Sequence, residues 1–334
     1  MSLETVWFCV IAGFWLGYLF LEGFDFGVGM LLPVLARDNT ERRVMINTIG
    51  PVWDGNEVWL IVAGGAMFAA FPAWYAGLFS GAYLPLLLVL LALIGRGVAF
   101  EYRGKVDSQR WRRTWDRVIM IGSWVPPLGV GLILATTVLG LPLDAAGDRA
   151  GSPFAAIRWD TLLGGLAIAA FSLTHGAAFL ALKTAGDLRE RARALATKML
   201  PFAMLPIVAF LAVVQWREGT LWTLLAFGIS VVAAVVAWFR LRADRDGQAF
   251  AALGVVIAGA AVTMFGALFP AVLPSTLDAA NTLTVAGAAS SPYTLKVITW
   301  VAAFGAPAVL IYQGWTYWVF RRRISTEHIP PVHA

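Results

Sequence analysis

Seven ionisable side chains interrupt long apolar stretches of the sequence, and their types suit proton transfer. Carboxyl groups bind and release protons, an arginine can balance a buried carboxylate, and histidine titrates near neutral pH. Inside a membrane each such group costs on the order of 3 kcal/mol, so these groups often mark functional sites. The seven are Glu22, Asp25, Asp54, Glu57, Arg96, Glu101 and His175.

The stretches that carry these residues are long enough to cross a membrane. Of the 334 residues, 59% are hydrophobic and only 13% are charged, whereas a soluble chain has about 25% charged residues. Charge-free runs occupy residues 58–95, 118–143, 161–182 and 247–277, and about 20 apolar residues suffice for one spanning helix. The composition excludes an ordinary soluble domain and a nucleic-acid-binding protein, and it predicts an all-α polytopic membrane protein.

Hydropathy predicts nine transmembrane helices, which leave two longer loops at residues 141–158 and 271–294. Most of the 25 Lys and Arg residues follow the odd-numbered spans or lie in the C-terminal tail. Because cytoplasmic loops are enriched in Lys and Arg, this bias places the N-terminus outside, the C-terminus in the cytoplasm and both longer loops outside. The predicted spans are residues 6–35, 50–72, 77–100, 117–140, 160–182, 199–216, 220–239, 248–270 and 295–320.

With this orientation all seven ionisable residues fall toward the cytoplasmic half of the membrane. Such a one-sided distribution predicts a hydrated proton inlet from the cytoplasm. Asp25 lies between two phenylalanines well inside its span, where helix capping cannot explain it, and Glu22 is similar. Asp54 has an alternative role as a helix N-cap, and Glu57 as a first-turn carboxylate that the helix dipole favours.

The remaining three residues also have structural alternatives. Arg96 is the natural counter-ion if the first three spans pack together, but its side chain could instead extend to the membrane surface. Glu101 is expected at the interface, paired with Arg103 or Lys105. His175 could be a buried, hydrogen-bonded side chain. As the one histidine within a predicted span, it limits this chain to a single haem, and the sequence predicts no metal site and no catalytic residue.

Several motifs, in order along the chain, resemble subunit II of cytochrome bd-type quinol oxidases. Each motif is weak alone, whereas their combination and order are specific. They are residues 22–30 (EGFDFGVGM), 41–43 with 46–47 (ERR, IN), 53–60 (WDGNEVWL), 64–72 (GGAMFAAFP), 122–127 (GSWVPP), 269–270 with 273–276 (FP, LPST) and 294–300 (TLKVITW).

The resemblance implies two four-helix bundles plus one peripheral helix. The first bundle is residues 1–140 and the second 159–270, with external loops at 141–158 and 271–294. The ninth helix and the cytoplasmic tail occupy residues 295–334. A faint parallel repeat, in which Glu22 and His175 occupy matching places, agrees with this division.

The resemblance also implies the activity and the partners. The expected complex sits in the bacterial cell membrane, oxidises quinol and reduces oxygen to water. Haem b and haem d are expected in subunit I. Small single-helix accessory subunits, membrane lipid and a structural quinone are further expected companions, and no cofactor-binding residue is assigned here. By position, Asp54 is the first candidate for the proton path and Asp25 the second. Glu22, Glu57, Arg96 and His175 complete the set.

The rival hypothesis is a proton-coupled secondary transporter. Transporters often have inverted repeats and broken helices around a site at the membrane midplane. Here the candidate repeat is parallel and the charges lie toward one side. The sequence therefore favours the oxidase subunit.

Overall fold

The computed structural model describes residues 2–329 and is almost entirely helical. Serine or threonine hydroxyls accept hydrogen bonds from first-turn amides of several helices, which satisfies donors that a helix leaves free. The helices are α1 Leu3–Leu35, α2 Asn39–Ile49, α3 Trp53–Ala70, α4 Pro72–Gly81, α5 Tyr83–Tyr102, α6 Gln109–Leu139, α7 Trp159–Lys183, α8 Gly186–Glu218, α9 Leu221–Arg242, α10 Asp246–Leu268, α11 Val285–Ala288 and α12 Pro292–Val319.

Eight of the helices within residues 2–329 are long and apolar enough to cross a membrane, namely α1, α5 to α10 and α12. Each corresponds to a predicted span. The remaining predicted span, residues 50–72, corresponds to α3, which is 18 residues long and begins with a polar turn. The polytopic membrane fold is therefore confirmed, while the count of nine stays a prediction.

Two helices differ in extent from the predicted spans. The third span was expected to begin at residue 77, but Pro72 starts the separate helix α4, which ends at Gly81, so the spanning helix α5 begins at Tyr83. The predicted sixth span, residues 199–216, lies within α8, which begins earlier, at Gly186, and includes the basic segment. That segment is rich in good helix formers and in i,i+3 and i,i+4 ion pairs, which support helix outside the apolar region.

The two longer loops contain ordered structure and meet each other. Residues 271–294 form a small antiparallel hairpin, β1 (Ala271–Leu273) with β2 (Leu283–Thr284), followed by α11. Leu141 in the other loop forms a bridge with Ser275, and the carbonyl of Leu143 accepts a hydrogen bond from the Ser275 hydroxyl. The loops therefore close one end of the helical assembly together.

Helix α1 lies at the centre of the packing. It contacts α3 and α6 on one side and α7 on the other, while α7 and α8 pack together, as do α9 and α10. Where α1 crosses α7, a Cβ built on Gly27 would lie 2.0 Å from the carbonyl oxygen of Ser172 and 2.7 Å from the Cα of Gly176. Small residues here let the two backbones approach closely.

Helix α12 is mostly exposed, with Leu295 its one buried residue. Polar contacts attach it to α1 and α3. After α12 the chain turns back over α7, where Ile324 forms a bridge with Thr184. The ammonium group of Lys183 donates to the carbonyls of Phe320 and Arg322. The last spanning helix is thus held at points rather than by a continuous apolar face.

Candidate functional site

A buried charged cluster forms where α1, α3 and α5 meet. Residues 22–32 of α1 are all buried, so Glu22 and Asp25, three residues apart on one helix face, have no exposed surface. Helix α5 brings Arg96 to the same place, also with no exposed surface. The alternative that Arg96 extends to the membrane surface is therefore wrong.

Arg96 is the counter-ion that the sequence suggested. Its guanidinium forms an ion pair with the Glu22 carboxylate and lies 3.4 Å from Oε2 of Glu57. The rings of Phe26 and Phe100 lie 4.8 and 5.1 Å from the guanidinium carbon, in cation–π contact. Two carboxylates and two aromatic faces thus compensate part of the hydration that the arginine loses on burial. Within residues 2–329 its Nε and Nη2 have no hydrogen-bond partner.

A second polar cluster, centred on Asn56, adjoins the first. The Asn56 amide nitrogen donates to Oδ2 of Asp25 at 2.6 Å. Its oxygen accepts from Nε2 of Gln313 at 3.0 Å and from the Tyr317 hydroxyl at 2.7 Å. Trp59 of α3 also donates to Gln313, at 2.8 Å. This cluster links α1, α3 and α12 through polar contacts, beside the ring contacts of Phe14 with Trp59 and of Phe24 with Tyr317.

Sequence reasoning missed three members of this cluster: Asn56, Gln313 and Tyr317. These three side chains are neutral near pH 7, so a pattern of ionisable groups does not include them. A signal was present, because Asn56 belongs to the same polar turn as Asp54, and Gln313 lies in an otherwise apolar span. An amide inside a membrane helix also needs a partner.

Asp54 lies at the edge of the site. It is exposed in the first turn of α3, and within residues 2–329 no side chain caps that helix, whose N-cap residue is Val52. The N-cap interpretation of Asp54 is therefore wrong. Glu57, three residues further along α3, keeps 24% of its side chain exposed. The burial of the acidic groups thus increases from exposed Asp54, through half-buried Glu57, to fully buried Glu22.

His175 lies on the other side of α1, away from this cluster. Its imidazole is fully buried, and Nε2 is 3.1 Å from the carbonyl oxygen of Phe20. The ring stacks on Phe250 at 4.4 Å between centroids and on Phe171 at 4.9 Å. Aromatic rings thus cover both faces of the imidazole, and Nε2 contacts a backbone carbonyl. These surroundings do not fit a haem whose iron His175 would ligate.

The expected pairing of Glu101 is wrong. Glu101 is exposed, and neither of the pairings expected for it occurs in residues 2–329. Arg103 instead pairs with Asp116, with Nε 2.5 Å from Oδ1, and donates to the Asn39 side chain at 2.9 Å. Arg103 therefore joins α5 to α6 and α2 rather than pairing within its own turn.

The apolar helices and the buried charges define an integral membrane protein with a cluster of ionisable groups among its helices. Family comparison then identifies the kind of protein. The model of the family "Cytochrome bd terminal oxidase subunit II" matches residues 3–320. The chain belongs to this family and is the second subunit of an oxidoreductase complex, so the transporter hypothesis is set aside.

Individual relatives are similar over their full length. The chain is 43% identical over 330 residues to cytochrome bd ubiquinol oxidase subunit 2 of Bacillus subtilis, covering 97% of each chain. It is 36% identical over 372 residues to cytochrome bd-I ubiquinol oxidase subunit 2 of Escherichia coli K12, covering 98% of this chain and 96% of the relative. A chain of the bd oxidase from Geobacillus thermodenitrificans shares the fold, with a TM-score of 0.76 at 19% identity and coverage of 96% and 97%.

Proposed function

We propose that this chain supports subunit I of a quinol-oxidising, oxygen-reducing complex and gives protons a route from the cytoplasm. The named relatives are subunits of ubiquinol oxidases, which makes quinol and oxygen the expected substrates of the whole complex. Haem b and haem d belong to the complex by family. Since His175 is enclosed by aromatic rings, we assign these haems to subunit I.

The proposed arrangement has nine spans, with α3 as the second. The N-terminus lies outside, the C-terminus lies in the cytoplasm, and the membrane is that of a bacterial cell. Residues 1–140 and 159–270 are the two four-helix bundles, and α12 is the peripheral helix. Loops 141–158 and 271–294 lie outside. The Lys and Arg bias supports this orientation, and the largely exposed surface of α12 supports its peripheral place.

The observation that carries the proton route is the graded burial of acidic groups from Asp54 to Glu22. Asp54 and Glu57 are three residues apart, so they share one face of α3 with Cβ atoms about 5–6 Å apart. Arg96 then connects Glu57 with Glu22. A proton can enter at the exposed Asp54 and move between acidic groups, while Arg96 compensates their negative charge in the apolar surroundings.

Asp25 provides a branch of the same route. It lies one turn beyond Glu22 on α1 and is bonded to Asn56, which leads to the Tyr317 hydroxyl of α12. The Asp25 carboxyl group can bind and release a proton. The Asn56 amide does not titrate, so its role is to orient Asp25 and the Tyr317 hydroxyl. His175 remains the sixth candidate of the sequence analysis, although within residues 2–329 it forms no hydrogen bond or ion pair with the other five.

The experiment is Asp54→Asn in the complete complex. This change keeps shape and removes the proton-binding carboxylate at the entrance. We expect quinol-dependent oxygen consumption to fall at least about 10-fold, as for the loss of a positioned acid–base group, with haem bands unchanged in the reduced-minus-oxidised spectrum. Glu101→Gln is the matched control, because Glu101 is also exposed at this end and lies outside both clusters.

Two outcomes would contradict the proposal. If Asp54→Asn left oxygen consumption unchanged, Asp54 would not be the entrance of the proton route. Loss of the haem bands together with subunit I would show that Asp54 serves assembly. If Glu101→Gln lost as much activity as Asp54→Asn, the effect would reflect surface charge rather than a route.

A further inference from the structure

A basic groove that the proton route does not use lies on the other half of the molecule. It is formed by the end of α1, the first half of α8 and the end of α9, and its volume is about 840 Å³. One wall is apolar, with Leu35, Leu195, Pro201 and Leu241. The cations that line it are Arg191, Arg193, Lys198 and Arg242.

The four cations differ in how far they are neutralised. Arg191 pairs with Glu41 and Asp187, and Arg193 pairs with Glu190 and Asp244. Within residues 2–329, Lys198 and Arg242 form no ion pair with a carboxylate. Both are exposed: Lys198 lies in α8 just before its apolar stretch, and Arg242 is the last residue of α9. Two positive charges therefore face the groove without a protein anion.

An aromatic side chain shapes the groove between these two cations. Trp238 lies in α9, and its indole N–H donates to the carbonyl of Thr197 in α8 at 3.1 Å. The Arg242 guanidinium carbon lies 4.6 Å from the Trp238 ring. Tryptophan favours the membrane–water interface, because its ring is apolar and its N–H is polar. The groove thus lies at headgroup depth, with its apolar wall continuing along the spanning helices.

We propose that this groove binds an anionic phospholipid such as phosphatidylglycerol. The phosphate is held by Lys198 and Arg242, and the acyl chains run along the apolar wall beside Leu195 and Pro201. Charge complementarity selects this ligand over a zwitterionic lipid, since the groove has two cations without protein partners. Basic pockets between spanning helices are a general mode of anionic headgroup recognition.

The test uses the purified complex, delipidated in mild detergent and titrated with phosphatidylglycerol or phosphatidylcholine, with bound lipid counted by native mass spectrometry. We expect phosphatidylglycerol to bind in preference. The double variant Lys198→Gln/Arg242→Gln should weaken its binding about 10- to 30-fold, the loss expected for two cations at an anionic lipid. Intact haem bands would confirm that the variant complex is assembled.

Two further variants serve as controls. Arg240→Gln removes the same charge from the same helix outside the groove and should leave binding unchanged. Lys198→Arg/Arg242→Lys keeps both charges and should also retain binding. Equal binding of the two lipids, or full binding by the double glutamine variant, would overturn the proposal. If millimolar glycerol 3-phosphate displaced the bound phosphatidylglycerol, the groove would be a site for free phosphate compounds instead.

Discussion

The two sides of α1 accommodate buried polar groups in different ways. Toward α3 and α5, α1 presents Glu22 and Asp25 to an arginine and an asparagine, so the interior there is charged and hydrogen-bonded. Toward α7 and α10, it presents aromatic rings to His175, which is enclosed by Phe171 and Phe250. One helix therefore separates a polar core from an aromatic one.

On the proposed two-bundle architecture, this difference restricts charged chemistry to one bundle. Glu22 and His175 each precede a glycine, late in the first helix of their halves, yet only Glu22 meets an ion partner. A charged interior needs every group compensated, which costs stability and is retained where it serves function. The aromatic half has no such requirement and can serve as a rigid support for α1.

The largest effect should come from the crossing that joins the two halves. Gly27→Ala places a methyl group against the Ser172 carbonyl and the Gly176 backbone, and neither can rotate away. Since overpacking costs about 1–3 kcal/mol or more, we expect little assembled complex in the membrane. Yield of the complex, measured by its haem bands, tests this expectation.

Gly13→Ala is the matched control for that change. Gly13 lies in the same helix, and an added Cβ there meets no atom within 4 Å among the described residues. Its yield should equal that of the unaltered chain. A normal yield of Gly27→Ala would show that α1 and α7 can move apart, and that the two halves are less tightly joined than the crossing indicates.

How much could be predicted from sequence follows from the range of each interaction. The spans could be predicted, because bilayer thickness and apolar composition act locally along the chain. The buried position of Asp25 could also be predicted, because it lies between Phe24 and Phe26. The separate helix α4 and the long start of α8 could not, since they depend on local proline placement and ion pairs where hydropathy gives little information.

The partners within the site depend on contacts between distant residues. Arg96 could be suggested as a counter-ion from its charge alone. By contrast, the bonds of Gln313 and Tyr317 to Asn56 join residues more than 250 positions apart. They require knowledge of how α12 docks, which no local pattern contains.

An intermediate effect is expected from the polar half. Arg96→Gln leaves the buried Glu22 carboxylate without its counter-ion, and breaking one side of a buried ion pair costs about 3–5 kcal/mol. We expect a clear fall in the temperature at which the complex loses its haem spectrum, together with lower oxygen consumption.

The double variant Glu22→Gln/Arg96→Gln separates charge imbalance from lost function. With Glu22 and Arg96 both neutral, thermal stability should recover in part, because the Glu57 carboxylate that also loses Arg96 is partly exposed to solvent. Oxygen consumption should stay low, because the acidic group of the route is missing. If the double variant were as unstable as Arg96→Gln, the contacts of the guanidinium with Phe26 and Phe100 would dominate instead.

The smallest effect is expected in the aromatic half. His175→Phe preserves a flat ring between Phe171 and Phe250 and loses one hydrogen bond, to the Phe20 carbonyl. A neutral hydrogen bond contributes about 1 kcal/mol, and extra aromatic packing offsets part of it. We expect oxygen consumption within about twofold of the unaltered complex and a modest shift in thermal stability. A loss as large as that of Asp54→Asn, with haem retained, would place His175 on the proton route and extend the polar function across α1. The contrast between the two sides would then be one of packing rather than of chemistry, because both faces of the helix would carry protons.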